Sequence, residues 1–484
     1  MFDLRPILLI NGILVATLGV AMLVPALVDV ATIYGSPDWD VFLGAAFATT
    51  FVGATLALGS RGRSGDINAR QAFILTASTW LVLPAFGALP FAFSSLGLSY
   101  TDSFFEAMSG LTTTGSTVID GLDFAAPGIL LWRAILQWLG GIGIIVTAVA
   151  ILPILRIGGM QLFRMESSDR SEKILPRAAQ ISAVIGAIYL ALTVLCAAAY
   201  WLAGMNGLEA IAHAMTTIAT GGFSTSDLSV GYFDSALVDY IAVLFMLIGS
   251  LPFLLYFQLV RGRPLALWRD SQVRAFLAIV AVAIAVMVGW RLATSQVGAA
   301  EAIRYTAFNV VSIVTGTGYS TTDYGQWGSF AVTAFFFFMF VGGCAGSTSC
   351  SVKVFRYQVL ASSARAQIGQ LSRPHGVFQP HFNRRPIPDE VAQSVMSFFF
   401  LFIATFVVLA VLLTALGLDF MTAVSGAATA IANVGPGLGQ TIGPSGNFAS
   451  LPDAAKWVMS AGMLLGRLEL FTVLVLFTPG FWRA

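Results

Sequence analysis

The chain has 484 residues, of which 57% are hydrophobic and 10% charged, and its mean hydropathy is +0.84. A soluble globular domain carries about 25% charged residues, so this composition excludes that class and indicates an integral membrane protein. The formal net charge is only +1, and no nucleic-acid partner is expected.

Apolar stretches of about 20 residues, the length that crosses a bilayer, recur along the whole chain. The first is as long as a full span and lacks a small-residue cleavage site, so we interpret it as a retained helix and not as a signal peptide. The pattern predicts an all-α protein with ten transmembrane helices, at about 6–30, 41–60, 72–97, 128–155, 179–203, 237–260, 274–294, 327–352, 391–416 and 453–478.

The placement of basic residues predicts the orientation. The segments 60–70, 156–177, 261–274 and 353–386 together hold 18 Lys and Arg residues, whereas the alternate segments hold one, Arg304. Excess Lys and Arg marks the cytoplasmic side. The alternate, outer segments carry 13 of the 24 acidic residues. These acids either concentrate cations at a pore mouth or are simply what remains in polar loops.

A short glycine motif occurs four times, always on the predicted outer side. The copies are TTTGST, ATGGFST, TGTGYST and ANVGPG, with equivalent glycines at Gly115, Gly222, Gly318 and Gly435. Their spacings of 107, 96 and 117 residues indicate internal repeats. The segments before the motifs, about 102–113, 208–220, 300–315 and 419–432, are too short to cross a bilayer and predict re-entrant half-helices. Asp102 and Glu209 stand where an acid caps a helix start.

Each repeat therefore reads as span, half-helix, glycine loop, span. Two full spans per repeat keep successive repeats in the same orientation, so four of them predict a pseudo-fourfold central pore; an odd number would give the inverted repeats of many carriers. The predicted organisation is two N-terminal helices outside the repeat (1–60), followed by repeats at 61–165, 166–262, 263–372 and 373–484. The third repeat contains an interrupted helix.

The loop composition suits a dehydrated cation. Backbone carbonyl oxygens replace an ion's hydration shell in a filter, and glycine allows the backbone angles that aim them inward. The half-helices point their negative C-terminal ends at the site. No catalytic motif or metal-ligand spacing occurs, so the chain is predicted not to be an enzyme and to need no organic cofactor. His213 is interpreted as a packed polar residue.

These motifs, together with FVGGCAGSTSCSVKVFR (340–356), NVGPGLG and GRLELFT, resemble the Trk/Ktr/HKT superfamily of potassium transporters over essentially the whole chain, most closely the bacterial TrkH type. The resemblance implies a potassium pathway, since members with serine at the first filter position are sodium-selective and this chain has Gly115. It implies a filter formed by Thr113, Thr114, Gly115, Thr220, Gly221, Gly222, Gly316, Thr317, Gly318, Asn433, Val434 and Gly435.

A second predicted site lies below the filter. Three glycines within five residues weaken the third repeat's second span, either for close helix packing or to form an intramembrane gate, which the resemblance favours. The gate residues are Gly342, Gly343, Cys344, Ala345, Gly346, Ser347, Lys353 and Arg467. Relatives often have more glycines where this chain has Ser349, Cys350 and Ser351, which predicts a stiffer loop. Arg467 either forms an electrostatic barrier or tethers the loop, and its expected partner is a loop carbonyl or pore water and not Glu469. Lys353 either snorkels or belongs to the gate.

The sequence thus predicts potassium uptake through a channel-like filter in the bacterial cytoplasmic (inner) membrane, with the filter loops facing outside. The resemblance implies a homodimer with a separate cytosolic nucleotide-binding regulatory subunit. A proton- or sodium-coupled potassium symporter is the alternative, and a membrane-embedded enzyme acting on lipid-linked substrates ranks below it. The first two helices lie outside the repeat and are assigned no role.

Overall fold

The protein is described by a computed structural model covering residues 3–31, 38–62, 67–150, 174–383 and 385–483, with side chains described outside 148–150 and 174–181. The predicted boundary between the first two repeats, at 165/166, lies outside the described residues, as does most of the basic segment 156–177.

The described regular structure is helical apart from one short antiparallel hairpin, β1 (His381–Phe382) with β2 (Arg385–Pro386). Four 3₁₀ helices lie at Leu122–Phe124, Ser229–Phe233, Tyr324–Trp327 and Val475–Phe477. The α-helices are α1 (Arg5–Ala21), α2 (Leu23–Ala31), α3 (Trp39–Gly59), α4 (Ala69–Gly87), α5 (Leu89–Phe93), α6 (Tyr100–Leu111), α7 (Pro127–Ala150), α8 (Ile174–Leu202), α9 (Gly207–Ile218), α10 (Ala236–Gly249), α11 (Phe253–Val260), α12 (Ala266–Arg269), α13 (Ser271–Thr294), α14 (Ala299–Thr315), α15 (Ser329–Phe338), α16 (Val354–Ser372), α17 (Asp389–Ala415), α18 (Phe420–Ala432), α19 (Gly439–Ile442), α20 (Asp453–Arg467), α21 (Phe471–Leu474) and α22 (Pro479–Arg483).

Seven helical stretches in the described residues are long and apolar enough to cross a membrane. Each matches a predicted span, which confirms the membrane character of the chain. They are Arg5–Ala31, Trp39–Gly59, Ala69–Phe93, Pro127–Thr147, Ser182–Leu202, Ser271–Thr294 and Asp389–Ala415.

Two further predicted spans are not the continuous helices that the hydropathy suggested. In 237–260, α10 and α11 meet at 91°, at a break that contains Pro252, which lacks an amide hydrogen for the helical ladder. In 453–478, α20 and the helical turns after it meet at 106°. There Glu469 and Leu470 have φ values of 57° and 58°, which right-handed helix excludes. Counting each bent pair as one span gives nine spans in the described residues.

The remaining predicted span, 327–352, is interrupted as expected. Only Ser329–Phe338 is α-helical, and the chain then runs without regular helix to Lys353, the residue before α16. Residues 339–353 are called the gate segment below.

Four short helices, α6, α9, α14 and α18, match the predicted half-helices and are called the pore helices. They are largely buried, and a side chain caps the N-terminus of α6, α9 and α18. The caps differ from the prediction, because Ser99 and Asn206 occupy the cap positions while Asp102 and Glu209 lie in the first turn. Glu209 completes a capping box with Asn206.

The N-terminal helices, which the sequence left without a role, pack against the first repeat. α1 and α3 approach closely at glycines, because a Cβ on Gly12 would lie 2.6 Å from the Ala57 amide nitrogen. Asn11 donates from Nδ2 to Ser78 Oγ of α4 over 2.8 Å. Asp29 Oδ1 accepts from the Gly128 amide at 2.6 Å, in the first turn of α7. The N-terminal helices are therefore bonded to both spans of the first repeat, α4 and α7.

Candidate functional site

The four glycine motifs meet in one place. We call residues 112–116, 219–223, 315–319 and 432–436 filter loops 1 to 4. A Cβ placed on any of the four glycines would approach the next loop. The successive neighbours are the Gly221 carbonyl oxygen for Gly115, the Thr317 carbonyl oxygen for Gly222, the Gly435 amide nitrogen for Gly318 at 2.7 Å, and the Gly115 carbonyl for Gly435 at 3.2 Å. The loops therefore form a closed ring in chain order.

Each filter loop leaves its pore helix through the same turn. The first predicted filter residue is left-handed in all four loops, with φ of 53° at Thr113, 49° at Thr220, 78° at Gly316 and 52° at Asn433. The next amide bonds back to the carbonyl five residues earlier, over 2.8 to 3.1 Å. This is the Schellman ending of a helix. Three of the four positions hold residues with a Cβ, for which this conformation is strained.

The filter glycines themselves are not equivalent. Gly115, Gly222 and Gly318 have φ of 89°, 81° and 84°, whereas Gly435 lies outside the left-handed region. The fourth loop, with Asn433 and Val434 in place of threonine and glycine, thus departs from the other three in backbone as well as in sequence.

Filter loops 1 and 3, which lie opposite each other in the ring, have the same hydrogen bond between two threonine side chains. In loop 1 the hydroxyls of Thr112 and Thr114 are 2.7 Å apart, and in loop 3 those of Thr315 and Thr317 are also 2.7 Å apart. Loops 2 and 4 have no hydroxyl at these positions. Asn433 Nδ2 donates to Thr114 Oγ1 over 3.0 Å and so joins loop 4 to loop 1. The ring has a twofold pattern superimposed on its fourfold order.

A cavity of about 290 Å³ lies on one side of the ring. All four filter glycines line it, together with hydroxyls of Ser116, Ser224 and Ser320. Asp120 and Asp227 stand among its lining residues. A polar space that reaches all four loops at once gives an ion a shared approach to the ring.

Sequence reasoning missed a buried ion pair behind loops 1 and 2. Arg133 of α7 donates from Nε to Glu106 Oε1 at 2.8 Å, and both side chains are at most 1% exposed. The same guanidinium donates from Nη1 to the Ser224 carbonyl at 2.6 Å and lies 4.1 Å from the centre of the Phe223 ring. One signal was available, since Arg133 is the only charged residue in the predicted span 128–155.

Gln137, one turn along α7, holds loop 2 at a second point. Its Nε2 donates to the Gly221 carbonyl at 2.6 Å, and its Oε1 accepts from the Phe223 amide at 3.0 Å. The Gly221 carbonyl, a predicted ion ligand, therefore has one lone pair engaged by the protein.

The gate segment lies against the C-terminal ends of three pore helices, where the filter loops begin. Three consecutive side chains reach three different helix C-termini: Thr348 Oγ1 donates to the Ile218 carbonyl at 3.0 Å, Ser349 Oγ donates to the Thr315 carbonyl at 2.6 Å, and Cys350 Sγ lies 4.0 Å from the Thr112 carbonyl. Helix C-termini expose unpaired carbonyls with partial negative charge. The segment thus covers groups that would otherwise face a cation below the ring.

The predicted gate glycines and their neighbours are fixed by backbone bonds. The Gly342 amide donates to the Val352 carbonyl at 2.9 Å and the Cys344 amide to the Ser250 carbonyl at 3.0 Å. The Gly346 carbonyl accepts from the Phe253 amide at 2.9 Å. A second set of bonds joins the Gly343 carbonyl to the Val354 amide, the Ala345 amide to Gln272 Oε1, and Ser347 Oγ to the Cys344 carbonyl. The gate segment therefore packs against the break between α10 and α11, at 250–252.

Arg467, at the end of α20, contacts three parts of the chain. Its guanidinium donates to the Gly140 carbonyl at 3.0 Å and the Thr348 carbonyl at 3.4 Å, and Nη1 lies 2.6 Å from Cys350 Sγ. The expected loop carbonyl is therefore among its partners. Glu469 instead pairs with Arg356 over 2.5 Å.

Lys353 is buried, at 8% exposure, and its Nζ donates to the Ser349 carbonyl. It does not snorkel outward. With Arg467 it lines a small cavity of about 30 Å³ between the gate segment and Asn433. Asn433 and Arg467 border this space, and Asn433 Oδ1 and Arg467 Nε are buried without a partner among the described residues. It is large enough for one or two water molecules.

The structure also shows the surroundings of His213 and of two acidic residues that the sequence singled out. His213 is fully buried, with Nδ1 2.9 Å from the Glu209 carbonyl and Nε2 3.0 Å from Ser224 Oγ, which confirms a packed polar residue. Asp102 pairs with Lys456 over 2.5 Å. Asp227 accepts from the Gly121 and Leu122 amides, both at 3.1 Å. These acids hold loops and helices together.

Comparison with known proteins decides the family. The TrkH family, described as cation transport protein, matches residues 40–483. The chain belongs to the TrkH family. It is similar to the Trk system potassium uptake protein TrkI of Halomonas elongata, with 46% identity covering 99% of this chain and 97% of that protein. It is also similar to TrkH of Escherichia coli, with 40% identity and 99% coverage of both chains.

The fold of this chain agrees with that of a solved member of the family. The crystal structure of the potassium transporter TrkH from Vibrio parahaemolyticus superposes with a TM-score of 0.91, 39% identity and full coverage of both chains. Membership in this family makes the chain a multi-pass membrane transport protein and not an enzyme.

Proposed function

We propose that this protein takes up potassium across the bacterial cytoplasmic membrane, down its electrochemical gradient, through the ring of filter loops. The ring itself carries the proposal: four loops with the same helix ending, in closed order, bordering one polar cavity. Carbonyls arranged around an axis replace the hydration shell of an alkali cation. The curated relatives are named as Trk potassium uptake proteins.

The proposed pathway has pseudo-fourfold symmetry and ten membrane crossings. The interrupted segment of the third repeat counts as the tenth, and the filter loops face the outside, where the Lys and Arg bias places them. The proposed ion ligands are the twelve filter residues predicted from the sequence, three from each loop.

The gate segment, with Lys353 and Arg467, is the proposed gate. It covers the C-terminal ends of three pore helices, so a cation that leaves the ring meets hydroxyls, a thiol and two buried cationic groups. We propose that a cytosolic nucleotide-binding subunit shifts this segment, and that the protein acts as a homodimer.

A coupled symporter would use carboxylates along the path. In the described residues, the buried carboxylate beside the ring, Glu106, is paired with Arg133, and Glu469 below it is paired with Arg356. This pairing favours the channel-like pathway over proton coupling.

Uptake of radiolabelled rubidium into proteoliposomes with an outward potassium gradient tests the proposal. The native protein is compared with Gly115→Ser and with Gly44→Ser, whose position on α3 has open space around it. We expect potassium to compete with rubidium, sodium to gain only in Gly115→Ser, and Gly44→Ser to match the native protein. Uptake that follows an imposed pH gradient, with Gly115→Ser unchanged, would instead support the symporter.

A further inference from the structure

We propose that Arg133 and Gln137 are positioning residues that set ion discrimination, by clamping filter loop 2 to α7 of the first repeat. The inference rests on the proposed potassium pathway and extends it to residues outside the four loops. Neither side chain belongs to a glycine motif, and both reach the ring only through the tertiary fold.

The clamp consists of three hydrogen bonds and one ring contact on the side of loop 2, and a fourth hydrogen bond on the side of loop 1. Loop 2 and the residue after it bond to α7 through the Gly221 carbonyl, the Phe223 amide and the Ser224 carbonyl, while the guanidinium lies over the Phe223 ring. The fourth bond closes the other side, where Arg133 Nη2 donates to Thr117 Oγ1 at 3.2 Å, just beyond loop 1. The helix therefore fixes the spacing between two adjacent loops.

Glu106 neutralises the charge of Arg133 beside the filter loops. The guanidinium lines the outer cavity beside Gly115 and Gly222, where an uncompensated positive charge would repel the cation. Glu106 accepts its Nε hydrogen and also accepts from Thr117 Oγ1 and the Val118 amide, at 2.9 to 3.1 Å. The pair gives the loops directional bonds without adding net charge to the approach.

The clamp also has a rigid base. The first turn of α7 is held by Asp29 of the N-terminal helices, which accepts from the Gly128 amide. α7 is 24 residues long and crosses the membrane, so Arg133 and Gln137 project from a supported helix and not from a loop. A site built on such an element holds its geometry closely.

If a fixed filter spacing underlies discrimination, weakening the clamp lowers selectivity before it lowers flux. Gln137→Leu removes two bonds to loop 2 without changing charge. Arg133→Lys keeps the charge beside Glu106 but loses the planar group that bonds in three directions. The matched control is Arg304→Lys, which alters another ion pair on a pore helix, with Asp239 at 2.6 Å. Within the described residues Arg304 pairs with Asp234 and Asp239 and not with a filter loop.

The measurement is the ratio of sodium to potassium concentrations that half-inhibit rubidium uptake, with thermal unfolding recorded on the same samples. We expect Gln137→Leu and Arg133→Lys to lower this ratio by about tenfold, the effect of roughly 1.4 kcal/mol on an equilibrium, and Arg304→Lys to keep the native ratio. Native selectivity in Gln137→Leu, or an equal loss in Arg304→Lys, overturns the clamp while leaving the potassium pathway intact. Absence of potassium-competed uptake in the native protein overturns both.

Discussion

Backbone strain is concentrated at the ring. Thr113, Thr220 and Asn433 adopt left-handed conformations that favour glycine. Such residues persist only where the surroundings over-determine them, and here the bond from the next amide to the carbonyl five residues back holds each one. The filter geometry is therefore set by the ends of the pore helices as much as by its glycines.

The four filter glycines should differ in their tolerance of a side chain. Gly222 combines a left-handed φ of 81° with a Cβ position that overlaps the Thr317 carbonyl oxygen, whereas a Cβ on Gly435 would lie 3.2 Å from the Gly115 carbonyl. We expect Gly222→Ala to abolish rubidium uptake and Gly435→Ala to retain measurable uptake with altered selectivity. Both variants are assayed at matched protein levels. Equal loss in the two would contradict the inequivalence of the fourth loop.

At the scale of helices, close approach between backbones depends on small residues. α1 and α3 pack through Gly12, Gly19 and Gly53, where an added Cβ would collide with backbone atoms of the facing helix. Small residues allow this contact in membranes, where lipid supplies no hydrophobic drive for helix association. Asp29, on the helix that follows α1, bonds in turn to the first turn of α7.

Gly53→Val tests this interface against Gly44→Val on the same helix, where the added side chain would meet open space. We expect Gly53→Val to destabilise the protein by about 1–3 kcal/mol through overpacking, seen as a lower unfolding temperature in detergent, and Gly44→Val to leave it unchanged. If both variants unfold at the native temperature, the helix pair does not depend on this contact.

At the scale of the molecule, Arg467 joins distant parts of the chain. It lies at the end of α20 in the fourth repeat and bonds to Gly140 of the first repeat and to Thr348 and Cys350 of the gate segment. A guanidinium buried at 3% exposure is stable only with several partners. These contacts in different directions favour the tether over a purely electrostatic barrier.

Two substitutions at Arg467 distinguish the tether from the electrostatic barrier. Arg467→Lys keeps the charge but cannot reach the same set of partners, whereas Arg467→Gln removes the charge as well. We expect both variants to raise rubidium uptake in the absence of any regulatory subunit, since each releases the gate segment. Native uptake in Arg467→Lys together with raised uptake in Arg467→Gln would point to the barrier instead.

Several features were predictable because their signals are local. The pore helices, the filter glycines and the interruption in the third repeat all follow from hydropathy and from glycine placement within short windows. The break at 469–470 was not predictable in this way, since Glu469 and Leu470 have ordinary helix propensity and their positive φ values arise where Glu469 meets Arg356. Pro252 could have predicted the break at 250–252, but the span was assigned from hydropathy, which does not register a proline.

The sequence by itself determined the membrane character, the fourfold repetition and the identity of the loops, since composition, period and glycine placement are properties of the chain alone. Only the tertiary structure decided that the loops close in order into a ring, that Arg133 and Gln137 hold the second loop, and that the gate segment covers three pore helices. The bonds that hold the second loop and those of the gate segment join residues from 34 to 238 positions apart. Their geometry depends on how whole helices pack, and no local pattern in the sequence encodes it.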